Sequence, residues 1–240
     1  MVRKNIRLII LLVFLGCILV TYKYGRSLWV PVYLKVTGKQ TVNDVINKIG
    51  PSAEVRIKPY FDKAGISYLS SRITLLSFKE EKILELWAEK DNKWIYVRTY
   101  PILGASGKLG PKLQEGDEQV PEGIYQVIAL NPNSSYHLSM KISYPNKYDQ
   151  EKGAFDGRMK LGGDIFIHGY NVSIGCIAIG NEAIEELFVL VAKINCSNAN
   201  VIIAPNDFRR KPYTLTNQGD VKWLAELYNI IQIELQKYIK

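Results

Sequence analysis

Ile167-His168-Gly169-Tyr170-Asn171-Val172-Ser173-Ile174-Gly175-Cys176 gathers one of the chain's two histidines, one of its three cysteines, two glycines and a serine into ten residues. A thiol attacks as its thiolate, and a free cysteine with a pKa of about 8.5 is mostly protonated at neutral pH. A nearby imidazole can take that proton and later return it to a leaving group, the division of labour of Cys-His acyl transfer. Glycines beside the cysteine let the backbone turn tightly and present N–H groups to a developing oxyanion. His168 ends the apolar strand pattern Ile165-Phe166-Ile167, and the seven residues that follow suffice for a loop bringing Cys176 back beside the ring. The stretch predicts Cys176 as nucleophile and His168 as general acid/base, with N–H groups near Gly175 and Cys176 holding the oxyanion.

His168-Gly169 followed by Ser173-Ile174-Gly175-Cys176 resembles the active-site signature of the L,D-transpeptidase (YkuD-type) catalytic domain, in which His-Gly precedes Ser-x-Gly-Cys. Most members carry a second histidine just before the Gly-Cys and an arginine two residues after the cysteine; here Ile174 and Ala178 occupy those places. The short His-to-Cys spacing is similar to that of the YafK-like murein transpeptidase branch. So is the flanking text, including Phe78-Lys79-Glu80-Glu81, Leu84-Glu85-Leu86-Trp87, Gly107-Lys108-Leu109-Gly110-Pro111-Lys112 and Tyr136-His137-Leu138-Ser139. The resemblance extends from about residue 54 to 190. It implies an α+β fold: a β-rich, mixed-sheet, sandwich-like catalytic core with flanking helices. It also gives Ser173 a part in shaping the turn with Gly169 and Gly175, and leaves a backbone carbonyl to orient the imidazole. Asp164 shares a strand face with His168 by alternation, so an acidic partner for the ring stays open. His137 lies in a strand pattern without a partner motif and reads as structural or adjacent to substrate.

The N-terminus supplies an address. Arg3, Lys4 and Arg7 precede the apolar run Leu8–Val20, the layout of an export signal with its start in the cytoplasm. No small-x-small cleavage site follows, so residues 1–22 read as a signal peptide or an uncleaved signal anchor, a membrane helix at the head of the chain. Cys17 after Phe14-Leu15-Gly16 is a poor lipoprotein box, because bulky residues precede it and the apolar run continues beyond it. Export places Cys176 and Cys196 outside the cytoplasm; Cys196 reads as a small residue packed between a helix and a strand. The net charge of +8 is spread along the chain without a basic run, zinc-finger spacing or phosphate loop. That disfavours nucleic acid and suits an anionic envelope. Two histidines with scattered acids give no metal-ligand spacing, and no cofactor is expected.

Residues 23–70 read as a linker or loosely docked strand followed by short helices: one over Thr41–Ile49, capped by Thr41 and ended by Gly50-Pro51, and another near Pro59–Ala64. A catalytic domain is expected over 71–205. Its strands fall at 72–78, 83–88, 94–100, 124–130, 137–143, 164–168 and 199–204, with a long loop over 104–123. Asn181 is a candidate cap for a helix burying Ile184, Leu187, Phe188 and Val191. Asp220 is a candidate cap for a final amphipathic helix within 206–240 that packs on the domain.

The resemblance implies peptidoglycan stem peptides as substrate, with chemistry at a bond to meso-diaminopimelate through a Cys176 thioester. An incoming amine gives transpeptidation. Water gives hydrolysis, including release of a murein-linked lipoprotein. An inactive membrane-tethered peptidoglycan-binding module is the reading of another class. The expected location is the periplasmic side of the inner membrane, and oligomeric state is not legible.

Overall fold

The computed structural model describes residues 2–213 and 221–239. Nine strands form one mixed sheet in the order β3-β2-β1-β9-β5-β6-β7-β8-β4. The strands are β1 (Ile73–Phe78), β2 (Ile83–Lys90), β3 (Lys93–Pro101), β4 (Gly104–Ala105), β5 (Gly123–Ser134), β6 (His137–Ile142), β7 (Phe166–His168), β8 (Ile177–Ala178) and β9 (Ala199–Ala204). β1–β9 and β7–β8 pair in parallel, and the other neighbours are antiparallel. β5 serves both halves: residues 123–126 pair with β9, and residues 127–134 pair with β6 through two irregularities. Leu75 and Leu86 from one half and Met140 and Ile167 from the other join one buried cluster. The expected β-rich mixed sheet with flanking helices is therefore the observed architecture.

Two helices close that cluster, α3 (Val42–Lys63) and α5 (Asn181–Ile194). α3 begins as expected: Thr41 Oγ1 accepts from Asp44 N (3.1 Å) while Asp44 Oδ2 accepts from Thr41 N (2.8 Å), a reciprocal capping box. It does not stop at Gly50-Pro51. One helix replaces the two short ones expected, continuing through Pro51 and Pro59. A buried stripe of Val45, Ala53, Ile57 and Phe61 outweighs the lost backbone hydrogen bonds. Gly50 faces α5, where a Cβ would make only an ordinary van der Waals contact with Val189 at 3.9 Å.

α5 buries Ile184, Leu187, Phe188 and Val191, as their spacing predicts. Its N-cap is Gly180 rather than Asn181. The Asn181 side chain instead accepts the Tyr170 N–H at 3.0 Å, tying the helix to the loop after β7. Glu186 is buried and accepts from Arg98 (2.7 Å) and Tyr100 (2.9 Å).

α6 (Leu224–Leu235) packs Leu227, Tyr228, Ile231 and Leu235 against the other face of β1, β2 and β9, as an amphipathic C-terminal helix should. The expected cap Asp220 lies outside the described residues. α4 (Lys147–Phe155) was not anticipated, although Asn146 and Asp149 form a second capping box.

The N-terminal expectation needs correction. After α1 (Val2–Tyr24), residues expected as linker or strand form α2 (Arg26–Thr37), despite Pro31 inside it. Among the described residues no single helix is long and apolar enough to cross a membrane, but α1 and α2 pass that test together as a pair bent by 78°.

The shared core sets a measurable cost. Leu187→Ala, at a fully buried α5 position, is expected to remove about 2–5 kcal/mol of stability, read as a lower urea midpoint at unchanged m-value.

Candidate active site

The register of three strands decides which side chains meet. Ile167 pairs with Met140 on β6 and with Ile177 on β8, and all three are fully buried on the core face. Alternation then turns Phe166, His168 and Ser139 to the opposite face. Cys176, one residue before Ile177, falls on that face too. His168 and Cys176 line one cavity of about 260 Å³, with Tyr136, Ser139, Phe166 and Ile174 among its walls.

His168 is buried, and its Nδ1 lies 2.7 Å from the Gly169 carbonyl oxygen. A carbonyl can only accept, so Nδ1 carries the proton and Nε2 keeps the free lone pair. The Tyr136 ring lies against the imidazole at a tilt of 33°, with centroids 4.9 Å apart. The backbone carbonyl is therefore the orienting group. Asp164 is not: its carboxylate is exposed and binds Lys141 Nζ at 2.5 Å. Its backbone carbonyl matters instead, receiving a long hydrogen bond from the Cys176 thiol at 3.9 Å. In this resting arrangement the thiol donates to Asp164 O.

Both motif glycines have physical reasons. A Cβ at Gly169 would stand 2.7 Å from the Tyr136 carbonyl oxygen, a backbone atom that cannot yield cheaply. Gly175 has φ +89°, in the left-handed region that side chains disfavour. Ser173 is a clamp: its hydroxyl accepts from Cys176 N (3.0 Å) and donates to Cys176 O (2.6 Å), fixing the backbone that carries the thiol. The Gly175 N–H donates to Ser106 Oγ, which itself donates to the Glu118 carbonyl at 2.7 Å. The two N–H groups expected to face an oxyanion are thus both held by serine hydroxyls, which brace the loop from each side.

Ser106 and Tyr136 were missed by the sequence reading. Ser106 sits in Gly104-Ala105-Ser106-Gly107, far from the motif in sequence, and nothing local marks it. Tyr136 adjoins His137, but that histidine binds Glu185 Oε1 at 2.8 Å, away from the cavity. Cys17, Cys176 and Cys196 are free thiols, and Cys196 is half-buried between α5 and β9. Among the described residues no group of His, Cys, Asp and Glu is arranged to hold a metal ion.

Burial pushes the Cys176 thiol above its ordinary pKa, and burial likewise lowers His168, the Gly169 carbonyl partly offsetting it. The ordinary values, about 8.5 and about 6.5, put a separated thiolate and imidazolium about 3 kcal/mol above the neutral forms, before their mutual attraction is counted. Burial widens that gap unless substrate contacts close it. Both shifts favour the neutral thiol and the neutral imidazole. Peptide-resolved iodoacetamide labelling of Cys176 is therefore expected to accelerate with pH without levelling off below about pH 9. A plateau below pH 8 that disappears in His168→Ala would mean a preformed ion pair.

The L,D-transpeptidase catalytic domain, YkuD, matches residues 75–203. Over 125 residues the chain is 38% identical to "Putative L,D-transpeptidase YafK" of Escherichia coli strains K12 and O157:H7, covering 51% of this chain and 48% of each relative. The chain thus spans about half the length of the curated relatives it matches. Among solved structures, the helical cell shape determining protein Pgp2 of Campylobacter jejuni overlaps 76% of this chain and 77% of its own at 19% identity and a TM-score of 0.47. Bd1075 of Bdellovibrio bacteriovorus overlaps 72% and 57% at 19% identity and a TM-score of 0.43. Overlaps this loose carry no argument about activity. The family match, which contains both His168 and Cys176, shows that this chain belongs to the L,D-transpeptidase (YkuD) catalytic domain family.

Proposed function

We propose that the chain is a peptidoglycan-modifying acyltransferase whose Cys176 forms a thioester with stem peptides at meso-diaminopimelate. The observation that carries this reading is the convergence of the Cys176 thiol and the oriented His168 imidazole on one cavity. The region from 71 to 205 is taken as the catalytic domain. In the cycle, His168 Nε2 takes the Cys176 proton as sulfur attacks the amide carbonyl and a C–S bond forms. The tetrahedral intermediate collapses, the C–N bond breaks, and the imidazolium returns the proton to the departing amine. An incoming amine then attacks the thioester and loses its proton to His168, restoring the thiol. An oxyanion at Gly175 N or Cys176 N would displace the hydroxyl of Ser106 or Ser173, so substrate binding has to loosen one of these braces.

A second cavity of about 200 Å³, lined by Gly163, Asp164, Ile174 and Gly175, lies across the nucleophile loop from the first. Ile174, which is 72% exposed, borders both. Two cavities meeting at one loop suit a reaction with separate acyl donor and amine acceptor. Water in the acceptor's place gives hydrolysis, and a murein-linked lipoprotein is then a candidate leaving group. Retention of both His168 and Cys176 speaks against an inactive binding module. The periplasmic face of the inner membrane fits the reading, with the N-terminal segment as anchor and peptidoglycan as partner.

Incubating the full chain with defined muropeptides, some bearing a covalently attached peptide, and weighing the products separates these fates. A new cross-link is expected, with Cys176→Ala reducing turnover at least about a thousandfold. Release of the attached peptide alone assigns hydrolysis. Unchanged product with Cys176→Ala would overturn the reading.

A further inference from the structure

α2 has two faces that do different things. Arg26, Val30 and Leu34 share one side at helical spacing, and that side docks on the domain. Arg26 Nε donates to the Ser135 carbonyl at 2.7 Å, and its guanidinium lies 4.5 Å from the Tyr170 ring centroid. Val30 is buried. Just beyond the helix, Gln40 and Asn133 exchange two hydrogen bonds of 2.8 Å. Ser135 lines the catalytic cavity beside Tyr136, so this strap braces the cavity's rim.

The opposite side carries Leu28, Val32 and Val36 at i, i+4 and i+8, exposed by 75%, 60% and 83%. Three aliphatic side chains in a row this exposed are costly in water. What covers them follows from what precedes them. α1 ends in an apolar run exposed along its length, from Ile10 to Val20. That run is Leu8–Val20 in the sequence, and 13 residues span about 20 Å of helix, short of the roughly 30 Å hydrocarbon core. The chain then bends by 78° across Gly25, where a Cβ would stand 2.8 Å from the Thr21 carbonyl oxygen. At the bend Tyr22 stacks on Trp29 (5.3 Å), which meets Tyr33 edge-on (6.2 Å), the ring types that settle at a lipid–water boundary. Lys35 and Lys39 stand exposed near the outer face, where they can pair with anionic headgroups.

We propose that α2 lies flat in the interface of an anionic phospholipid bilayer, with Leu28, Val32 and Val36 sunk among the headgroups and the inner face fixed to the rim of the Cys176 cavity. This rests on the membrane-anchor part of the proposed function and adds to it an orientation: the cavity is held beside the bilayer surface. An interfacial helix buries its apolar side about 5–10 Å into the headgroup–acyl boundary, completing an anchor that α1 alone leaves short.

The test uses the full chain in nanodiscs of phosphatidylethanolamine and phosphatidylglycerol. The acyl chains are brominated either near the headgroup or near their ends. A tryptophan reporter is placed by Val32→Trp on a Trp29→Phe background, with Trp29→Phe alone subtracted. Val32 is exposed, so the reporter needs no room in the core. Shallow bromines are expected to quench it at least about twofold, and deep bromines less. Equal emission with and without bromine would overturn the proposal, placing that face in water or under a second copy or another protein. Stronger quenching by deep bromines would also overturn it, making α1 and α2 one continuous span. Muropeptide turnover by the same variant reports on the catalytic reading separately, since quenching requires no chemistry.

Discussion

The parallel pairing of β7 with β8, only two residues long, is the constraint on which the site depends. It joins Ile167 to Ile177 on the core face and thereby leaves His168 and Cys176 together on the other. The pairing is short, so its neighbours must hold it. β6 lies against β7, Ile179 N–H donates to the His168 carbonyl at 3.0 Å, and Asn181 catches Tyr170. A one-residue slip would exchange the faces and bury the sulfur with the aliphatics. The interior cluster of α3, α5 and both halves of the sheet thus fixes the site's geometry from below.

Within that frame the resting loop is over-determined. Ser173 clamps the Cys176 backbone from one side and Ser106 holds Gly175 from the other. The thiol donates to the Asp164 carbonyl, and among the described residues no hydrogen bond engages the imidazole Nε2. Burial raises the pKa of the Cys176 thiol and lowers that of the His168 imidazole, so both shifts favour the neutral forms. In the proposed cycle, substrate supplies the stabilisation of the thiolate by excluding water and by competing for the braced N–H groups. The Lys141–Asp164 pair stands at the edge of the same sheet face as Phe166 and His168, so charge is present near the cavity although Ala178 occupies the family's arginine position.

Much of this was legible in the sequence, for identifiable reasons. The strands of the first half announced themselves by β-rich runs between polar turns, and α5 by a stripe of aliphatics at helical spacing. Gly169, Ser173 and Gly175 were marked by the motif, and each now has a steric or hydrogen-bonding reason. What escaped was set by tertiary context. Gly50-Pro51 looks like a stop, yet packing on α5 carries the helix through it. Asn181 looks like a cap, yet its amide is taken by a loop eleven residues away. Residues 26–37 have no polar stripe to mark a helix: Val30 is buried on one side, and Leu28, Val32 and Val36 are aliphatic on the other. Ser106 is 69 residues from Gly175 and has no local signature.

The central claim is that sulfur at position 176 carries the acyl group, with the ring at 168 moving the proton. Rapid acid quenching of the full chain with a stem peptide containing meso-diaminopimelate, followed by peptide mapping, reads this directly. The account predicts a thioester-sized mass gain confined to the Cys176 peptide, strongly reduced in His168→Ala. An acyl group on any other residue, or full occupancy of Cys176 without His168, would contradict it.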